Sequence, residues 1–234
     1  MQQSVLGGSV SLSVVVHGKE VREIFHEEKM FIEAHLGSRF SLRISNNSPK
    51  RVLAVITVDG LSVMDGKVGK FDSSGYVLSP WSSHDIPGWR LSDAAVAKFF
   101  FGTLDQAYAT QMDAPTNIGV IGCAVFNEPD RTAFRPHVLY SKGRDSAPQT
   151  FGAFNSSLEG QGTGVGFGEE ATHHVGRTTF NKLLEPSAIF AIYYDTREKL
   201  IQKGVPVDKP TVAVANPFPG QPGYCTPPKN WPRS

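Results

Sequence analysis

The sequence predicts an all-β protein, more narrowly a jelly-roll-like β-sandwich with one or two short helices and an extended C-terminal arm. Three observations lead to this prediction: short apolar runs that alternate with polar residues, turn residues at about ten-residue spacing, and little helical periodicity. A chain of 234 residues is long enough to bury a sizeable core in one such domain.

Strands and turns alternate through the first part of the chain. Residues 10–16 alternate valine or leucine with serine, which predicts a strand, and the turn at 17–20 leads to residues 21–25 as its hairpin partner. Val52–Val58 is apolar throughout, which is typical of a strand buried on both faces, and the Asp59-Gly60 pair ends it. Two further strands are predicted between these, at 30–36 and 40–44.

The middle of the chain continues in the same way. Residues 104–111 have a helical composition and predict one or two helical turns. Residues 127–171 are polar with scattered Gly, Ser and Pro, which predicts a long loop, and such loops tend to be functional. The strands predicted in this part lie at 75–78, 83–86, 95–101 and 118–126.

The C-terminal part predicts two strands, a helix and an arm. The strands are expected at 172–184 and 188–194, and a helix at 195–203 with Asp195 as its acidic N-cap and Gly204 as its stop. Residues 206–234 hold half of the sixteen prolines and predict an extended arm rather than a fold. The predicted organisation is therefore an N-terminal arm at 1–9, a sandwich domain at 10–205 and a C-terminal arm at 206–234.

Glycine occupies every second position from Gly160 to Gly168. A phosphate-binding loop needs G-x-x-x-x-G-K-[ST], whereas Glu169 and Glu170 follow here and would repel phosphate. Two interpretations stay open: a pliable connector, or a glycine-rich strand where another backbone comes close.

Charge, apolar runs and cysteine positions bear on the possible partners, on membrane insertion and on disulfide bonding. The formal net charge of +1 gives no broad electrostatic reason to expect nucleic acid or an anionic membrane as partner. The N-terminus lacks a basic region and a continuous apolar run, so no signal peptide is predicted, and no apolar run is long enough to span a membrane. Cys123 lies in an apolar run and predicts a buried thiol, Cys225 lies in the proline-rich arm, and whether they are bonded stays open.

No residue pattern indicates a metal, a cofactor or an enzyme. His173 and His174 are adjacent, and adjacent side chains of a strand point to opposite faces, so the pair cannot chelate one metal. An unrecognised catalytic site around these two histidines and Asp195 stays an alternative. Trp81 and Trp89 would bind a sugar or a peptide if exposed, or cap the core if buried.

Several sequence segments, taken together, resemble those of a family of uncharacterised β-rich proteins from bacteria and their phages. They include VLAVITVDGLSVMDGK, SSGYVLSPWSSHDIPGWR, AAVAKFFFGT and IYYDTREKLIQKGV, and the resemblance covers roughly residues 30–205. It implies a shared fold and carries over no catalytic residue.

These observations predict a non-enzymatic structural or interaction protein of a large assembly, most specifically a phage virion protein that decorates the capsid. Its expected partners are copies of itself and other virion proteins, with a host glycan as a further option, and its expected location is the virion, or alternatively the cytoplasm. The expected interface residues are Phe218, Tyr224 and Trp231 in the C-terminal arm. The alternative is a carbohydrate- or peptide-binding β-sandwich module that uses Trp81 and Trp89.

Overall fold

The computed structural model of the chain describes residues 5–7, 9–129 and 162–208. Within these ranges, fifteen strands form two sheets that face each other across one core, which confirms the predicted all-β sandwich. The core is filled from both sheets: Leu42 and Phe99 from one, and Ile56 and Ile192 from the other, are all inaccessible to solvent.

Sheet A contains eight strands in the order β1-β2-β6-β12-β11, with β3 beside β2, β10 beside β6 and β14 beside β12. Its pairs are all antiparallel, and alternate residues of the longer strands β2, β6 and β12 point into the core. The strands are β1 (Val5–Gly7), β2 (Val10–Val16), β3 (Lys19–Glu20), β6 (Arg39–Asn46), β10 (Ser82–Ile86), β11 (Gly88–Arg90), β12 (Ala95–Thr103) and β14 (Thr163–Thr172).

Sheet B contains seven strands in the order β4-β5-β15-β13-β7-β8, with β9 also beside β7. The β5–β15 pair is parallel and joins residues that are far apart in sequence, while the other pairs are antiparallel. The strands are β4 (Glu23–His26), β5 (Lys29–Glu33), β7 (Val52–Val58), β8 (Leu61–Ser62), β9 (Tyr76–Leu78), β13 (Val120–Asn127) and β15 (Ala188–Asp195).

Three two-residue turns connect neighbouring strands. The His17-Gly18, Glu27-Glu28 and Asp59-Gly60 pairs all have positive φ angles at both residues, as type I′ hairpins require. The predicted turn at Asp59-Gly60 is therefore confirmed, with β7 and β8 paired on either side of it.

The predicted hairpin partner at 21–25 is wrong. Strand β2 pairs with the short β3, whereas Glu23–His26 crosses to sheet B and pairs with β5. The cause is burial, because Ile24 packs against Leu200 and Val205 beside sheet B. The N-terminal arm is also shorter than predicted, since Val5–Gly7 pairs with β2 as β1.

The glycine-rich stretch forms a strand, and the predicted strand at 172–184 is wrong. Thr163–Thr172 pairs along the whole of β12 as β14, so the predicted loop at 127–171 is too long at its end. A Cβ atom on Gly166 would lie 2.1 Å from Cζ of Phe100, and one on Gly164 would lie 2.4 Å from Cβ of Ala107. Of the two interpretations, the glycine-rich strand is confirmed; a backbone comes close at Gly168, where a Cβ atom would lie 2.7 Å from the Lys98 carbonyl oxygen, whereas Gly164 and Gly166 face side chains.

Two short α-helices complete the described chain, α1 (Tyr108–Gln111) and α2 (Arg197–Gln202), with a 3₁₀ turn at Pro115–Asn117. Asp195 is not an N-cap as predicted, because it is still paired with Glu33 in the sheet, and Thr196 takes that position. Gly204, at φ +77°, follows the helix as predicted. The longest described helix has six residues, so none in the described ranges could cross a membrane.

Candidate interaction surface

The outer face of sheet A is polar, and its charges are paired with one another. Arg43 on β6 donates two hydrogen bonds to Asp85 on the neighbouring β10, at 2.7 and 2.8 Å. Hydrogen bonding to Arg43 holds the pKa of the Asp85 carboxyl below its ordinary value. Beside them, the hydroxyls of Ser45 and Ser83 lie 2.8 Å apart. Water can solvate this face without any partner.

A β-bulge adds a second ion-pair group to the same face. Two residues of β14, Gly168 and Glu169, lie opposite Lys98 of β12, and the Glu169 carboxylate lies within reach of cations on β12 and on β6, the next strand beyond it. Arg39 donates to Glu169 at 2.7 Å and Lys98 lies 3.1 Å from it. The hydrogen bond from Arg39 lowers the pKa of Glu169 to about 2.

The outer face of sheet B is apolar instead. Leu53 and Val55 of β7 and Ala124 and Phe126 of β13 form a cluster separate from the sandwich core. Phe180, from the segment after β14, covers one end of this cluster. Such a face tends to be covered by another element or by a partner, because apolar surface is stabilised when it is removed from water.

A groove of about 310 Å³ remains open on this apolar face. Its floor is made of small or short side chains: Val55 and Thr57 of β7, with Gly122 and Ala124 of β13. Two partly exposed apolar side chains lie at its rim, Ile189 of β15 at 42% and Phe71 at 51% exposed. We call these six residues the sheet B groove.

Glycine makes the groove concave. A Cβ atom on Gly122 would lie 2.6 Å from Oγ1 of Thr57, so a larger residue would fill the floor and displace its neighbour. The loop that carries Phe71 is tied to the 180–184 segment, because the ammonium of Lys182 donates to the carbonyl oxygen of Phe71. The groove is thus bordered by the sheet and by the loop that carries Phe71, which the 180–184 segment holds in place.

Sequence reasoning did not find this groove, although one signal pointed to it. The continuous apolar run of β7 predicts burial on both faces, and Leu53 and Val55 are indeed buried outside the sandwich core. Ile189, Gly122 and Phe71 carry no such signal, because their proximity depends on which strands become neighbours.

The two tryptophans lie in different environments. Trp89 is only 2% exposed; its ring contacts Phe99 and Tyr108, and its indole N–H donates to the carbonyl of Gly166 at 3.2 Å. Of the two alternatives for Trp89, the structure therefore supports the core cap, because its packing leaves no face for a ligand. Trp81 is 70% exposed and adopts φ +56°, which is rare for a bulky residue.

The histidines and Asp195 of the alternative enzyme site have separate partners. The His173 ring accepts a hydrogen bond from Arg90 at 2.6 Å, and burial, together with the charge of Arg90, lowers its pKa, so it serves as a neutral acceptor. His174 is exposed. Asp195 accepts from the Thr196 N–H at 2.9 Å and from Lys203 at 2.8 Å, at the end of sheet B. The structure shows no contact between Asp195 and either histidine.

Asp59 is buried where the two sheets meet. Its carboxylate accepts hydrogen bonds from the backbone N–H groups of Gly119 at 2.9 Å and Val165 at 2.8 Å, and from the Tyr194 hydroxyl. Val165 belongs to sheet A and Tyr194 to sheet B, so one side chain ties the sheets together. Burial raises the pKa of Asp59 to about 6, and the hydrogen bonds limit the rise.

Glu23 is a second carboxylate in a disfavoured position. Both of its oxygens are inaccessible to solvent, and neither has a hydrogen-bond partner among the described residues. Burial, helped by the negative charge of Glu20, raises its pKa to about 7. The protonated form therefore predominates in the folded chain below about pH 7 and makes up about half of it at pH 7.

Four of the remaining sequence-predicted residues lie outside the described residues: Phe218, Tyr224, Trp231 and Cys225. Cys123 is buried as predicted, it is a free cysteine, and burial raises the pKa of its thiol to about 12. No cluster of three or more metal-ligating side chains occurs in the described ranges.

The fold and surface together define a β-sandwich with one polar outer face and one apolar, grooved outer face. No protein-family model, curated protein or solved structure matches this chain.

Proposed function

We propose that this chain is a non-enzymatic structural or interaction protein of a large assembly, and that it docks through the outer face of sheet B. The observation that supports this most is the contrast between the two outer faces. Sheet A carries charges that neutralise one another, whereas the sheet B groove leaves Ile189 and Phe71 partly exposed to water. Covering such apolar surface is the usual source of stability in protein association.

The structural contacts of ionisable side chains also support a non-enzymatic role. The Asp59 carboxylate, although no part of the alternative enzyme site, is buried and already accepts three hydrogen bonds. The His173 ring is held by Arg90, and Asp195 by Lys203. A general acid or base must reach its substrate within hydrogen-bond distance, which these contacts oppose.

Sedimentation velocity over a range of concentrations tests the docking surface. We expect the wild-type chain to self-associate, and Ile189→Asp to weaken the association at least tenfold, because a carboxylate in the groove would have to lose its hydration. Leu91→Asp is the matched control, since Leu91 is similarly exposed, at 46%, but follows β11 of sheet A. A wild-type chain that stays monomeric, or equal effects of the two variants, would contradict the proposal.

In its finer form, we propose a phage virion protein that decorates the capsid. The support is the resemblance of residues 30–205 to β-rich proteins of bacteria and phages, together with the near-zero net charge, which suits a surface component better than a nucleic-acid binder. Mass spectrometry of purified phage particles from a host that carries this gene tests it. We expect the chain in the particles at a stoichiometry comparable to a capsid protein, and its absence from particles while present in the lysate would refute the finer form.

A carbohydrate-binding role is the second candidate, and the exposed Trp81 favours it. An indole exposed at 70% in a positive-φ turn resembles the strained aromatic residues found at ligand sites. Glycan-array binding that is lost in Trp81→Ala would support this role. Because Trp81 does not line the groove, binding that survives in Ile189→Asp would separate the two roles.

A further inference from the structure

The described chain ends beside the outer face of sheet B. After α2, Val205 and Val207 pack against Ile24 of β4, and Phe31 of β5 packs against the same cluster. The Phe31 ring in turn contacts Tyr193, with ring centroids 5.6 Å apart, and Tyr193 alternates with core residues of β15. The chain therefore leaves at Asp208 on the face that carries the groove.

The part of the chain beyond Asp208 has a composition that suits a small-floored apolar groove. Residues 209–234 contain seven prolines and three aromatic residues, Phe218, Tyr224 and Trp231. Proline-rich segments favour an extended conformation and bind in apolar grooves, since little conformational entropy is lost. The groove supplies such a surface between Phe71 and Ile189.

The length of this segment favours a groove on a neighbouring copy. At about 3.1 Å per residue, 26 extended residues span about 80 Å. Because β8 and β9 share one edge of β7, sheet B is six strands across, which at about 4.8 Å spacing makes it only about 29 Å wide. The segment is thus long enough to leave its own sandwich and lie across the next.

We infer that the sheet B groove binds residues 209–234 of a second copy of this chain. The inference rests on the proposed function and names the partner of the same surface. Each copy would donate one segment and accept one, so the same contact can link many copies into a closed or extended assembly.

Cross-linking from the C-terminal segment tests the inference on the full-length chain. A benzophenone maleimide is attached to Cys225, while the buried Cys123 stays unlabelled under native conditions because its thiol is inaccessible. Unlabelled and ¹⁵N-labelled copies are mixed, irradiated and digested, and the cross-linked peptides are identified by mass spectrometry. A Cys225→Ser chain controls for labelling elsewhere.

We expect cross-links from Cys225 to peptides that contain Phe71, Gly122 or Ile189, with light–heavy pairs present at the frequency of random mixing. Ile189→Asp should reduce these cross-links at least fivefold, and Leu91→Asp should leave them unchanged. Cross-links confined to pairs of one isotope, or located outside the groove, would overturn the inference.

The two proposals can fail separately. If Ile189→Asp abolishes association while the Cys225 cross-links lie elsewhere, the docking surface stands and its occupant is not this segment. If no association occurs at any concentration, the proposed function fails, and this inference fails with it.

Discussion

Asp59 occupies the first position of a turn, and its side chain also links the two sheets by hydrogen bonds. As the first residue of the β7–β8 turn it needs φ +51°, which aspartate and asparagine tolerate better than most residues. That conformation accompanies a carboxylate bonded to Gly119 and Val165. A single residue thus fixes the end of sheet B against β14 of sheet A.

These hydrogen bonds predict that Asp59→Asn destabilises the chain. Asparagine is compatible with the turn, but its NH₂ group would face a backbone N–H donor, that of either Gly119 or Val165. We expect the free energy of unfolding at pH 7 to fall by about 1–3 kcal/mol, the cost of an unsatisfied buried donor. Urea denaturation measures it, with Asp65→Asn in an exposed turn as the control. Equal stabilities of the two variants would show that the Asp59 contacts contribute little.

Glu23 predicts a pH dependence of stability. Its pKa in the folded chain, about 7, lies above its ordinary 4.5, so the folded state retains the proton more readily than the unfolded state. Its contribution to stability is then fully present below about pH 4.5 and is lost as the pH rises through 7. Since the residue is only half-buried, solvent screening reduces the effect, and we expect a loss of about 1–2 kcal/mol.

Urea denaturation at pH 5 and pH 8 checks this expectation. Wild type should lose stability between the two pH values relative to Glu23→Gln, which has no ionisable group at that position. Glu27→Gln, which removes an exposed carboxylate of a neighbouring turn, should follow the wild-type profile. Parallel profiles for wild type and Glu23→Gln would contradict the assignment.

At the scale of elements, the β4–β5 turn is strained. Glu27 and Glu28 adopt φ angles of +45° and +61°, although neither is a residue that favours the left-handed region. Replacing them by Asn-Gly should raise the free energy of unfolding by about 1 kcal/mol, because the new residues suit a type I′ turn. His17→Asn is the control, since its turn already has glycine second, and its gain should be smaller. Thermal denaturation measures the stability of both variants. A loss of stability in the Asn-Gly variant would contradict the claim that this turn is strained.

Two glycines are expected to differ in how well they tolerate alanine: Gly166 in β14, and Gly176 in the segment that follows it. Gly166→Ala would place a Cβ atom 2.1 Å from the Phe100 ring and force that ring to move, whereas Gly176→Ala would meet nothing within 4 Å. We expect Gly166→Ala to cost about 1–3 kcal/mol and Gly176→Ala to be nearly neutral. Chemical denaturation compares them, and similar stabilities would mean that the ring moves at little cost.

The strands and turns could be predicted locally, but their pairing could not. Residues 10–16, Val52–Val58 and 188–194 carry alternation or β-branched runs, and the structure confirms strands there. The β14 strand stayed one of two interpretations, because its glycines contribute no β propensity and are required by Phe100, Ala107 and Lys98, which are remote in sequence. The parallel β5–β15 pair joins residues about 160 positions apart, which no local pattern encodes.

At the scale of the whole molecule, the sandwich has two unlike outer faces. The exposed pairs Arg43–Asp85 and Arg39–Glu169 add little stability, and their importance is that they leave sheet A solvated. The groove of sheet B could not be predicted, because Phe71, Gly122 and Ile189 become neighbours only through the tertiary fold. Sequence alone pointed instead to tryptophans, and of the two Trp89 proved to be a core residue.

Hydroxyl-radical footprinting tests the central claim, docking through the sheet B groove, most directly. The wild-type chain is oxidised at low and at high concentration, and modification is measured at Phe71 and Ile189 in the groove and at Trp81 and Leu91 outside it. The account predicts that Phe71 and Ile189 lose at least half of their reactivity at high concentration while Trp81 and Leu91 keep theirs. Unchanged reactivity of Phe71 and Ile189 in a chain that demonstrably associates would contradict it.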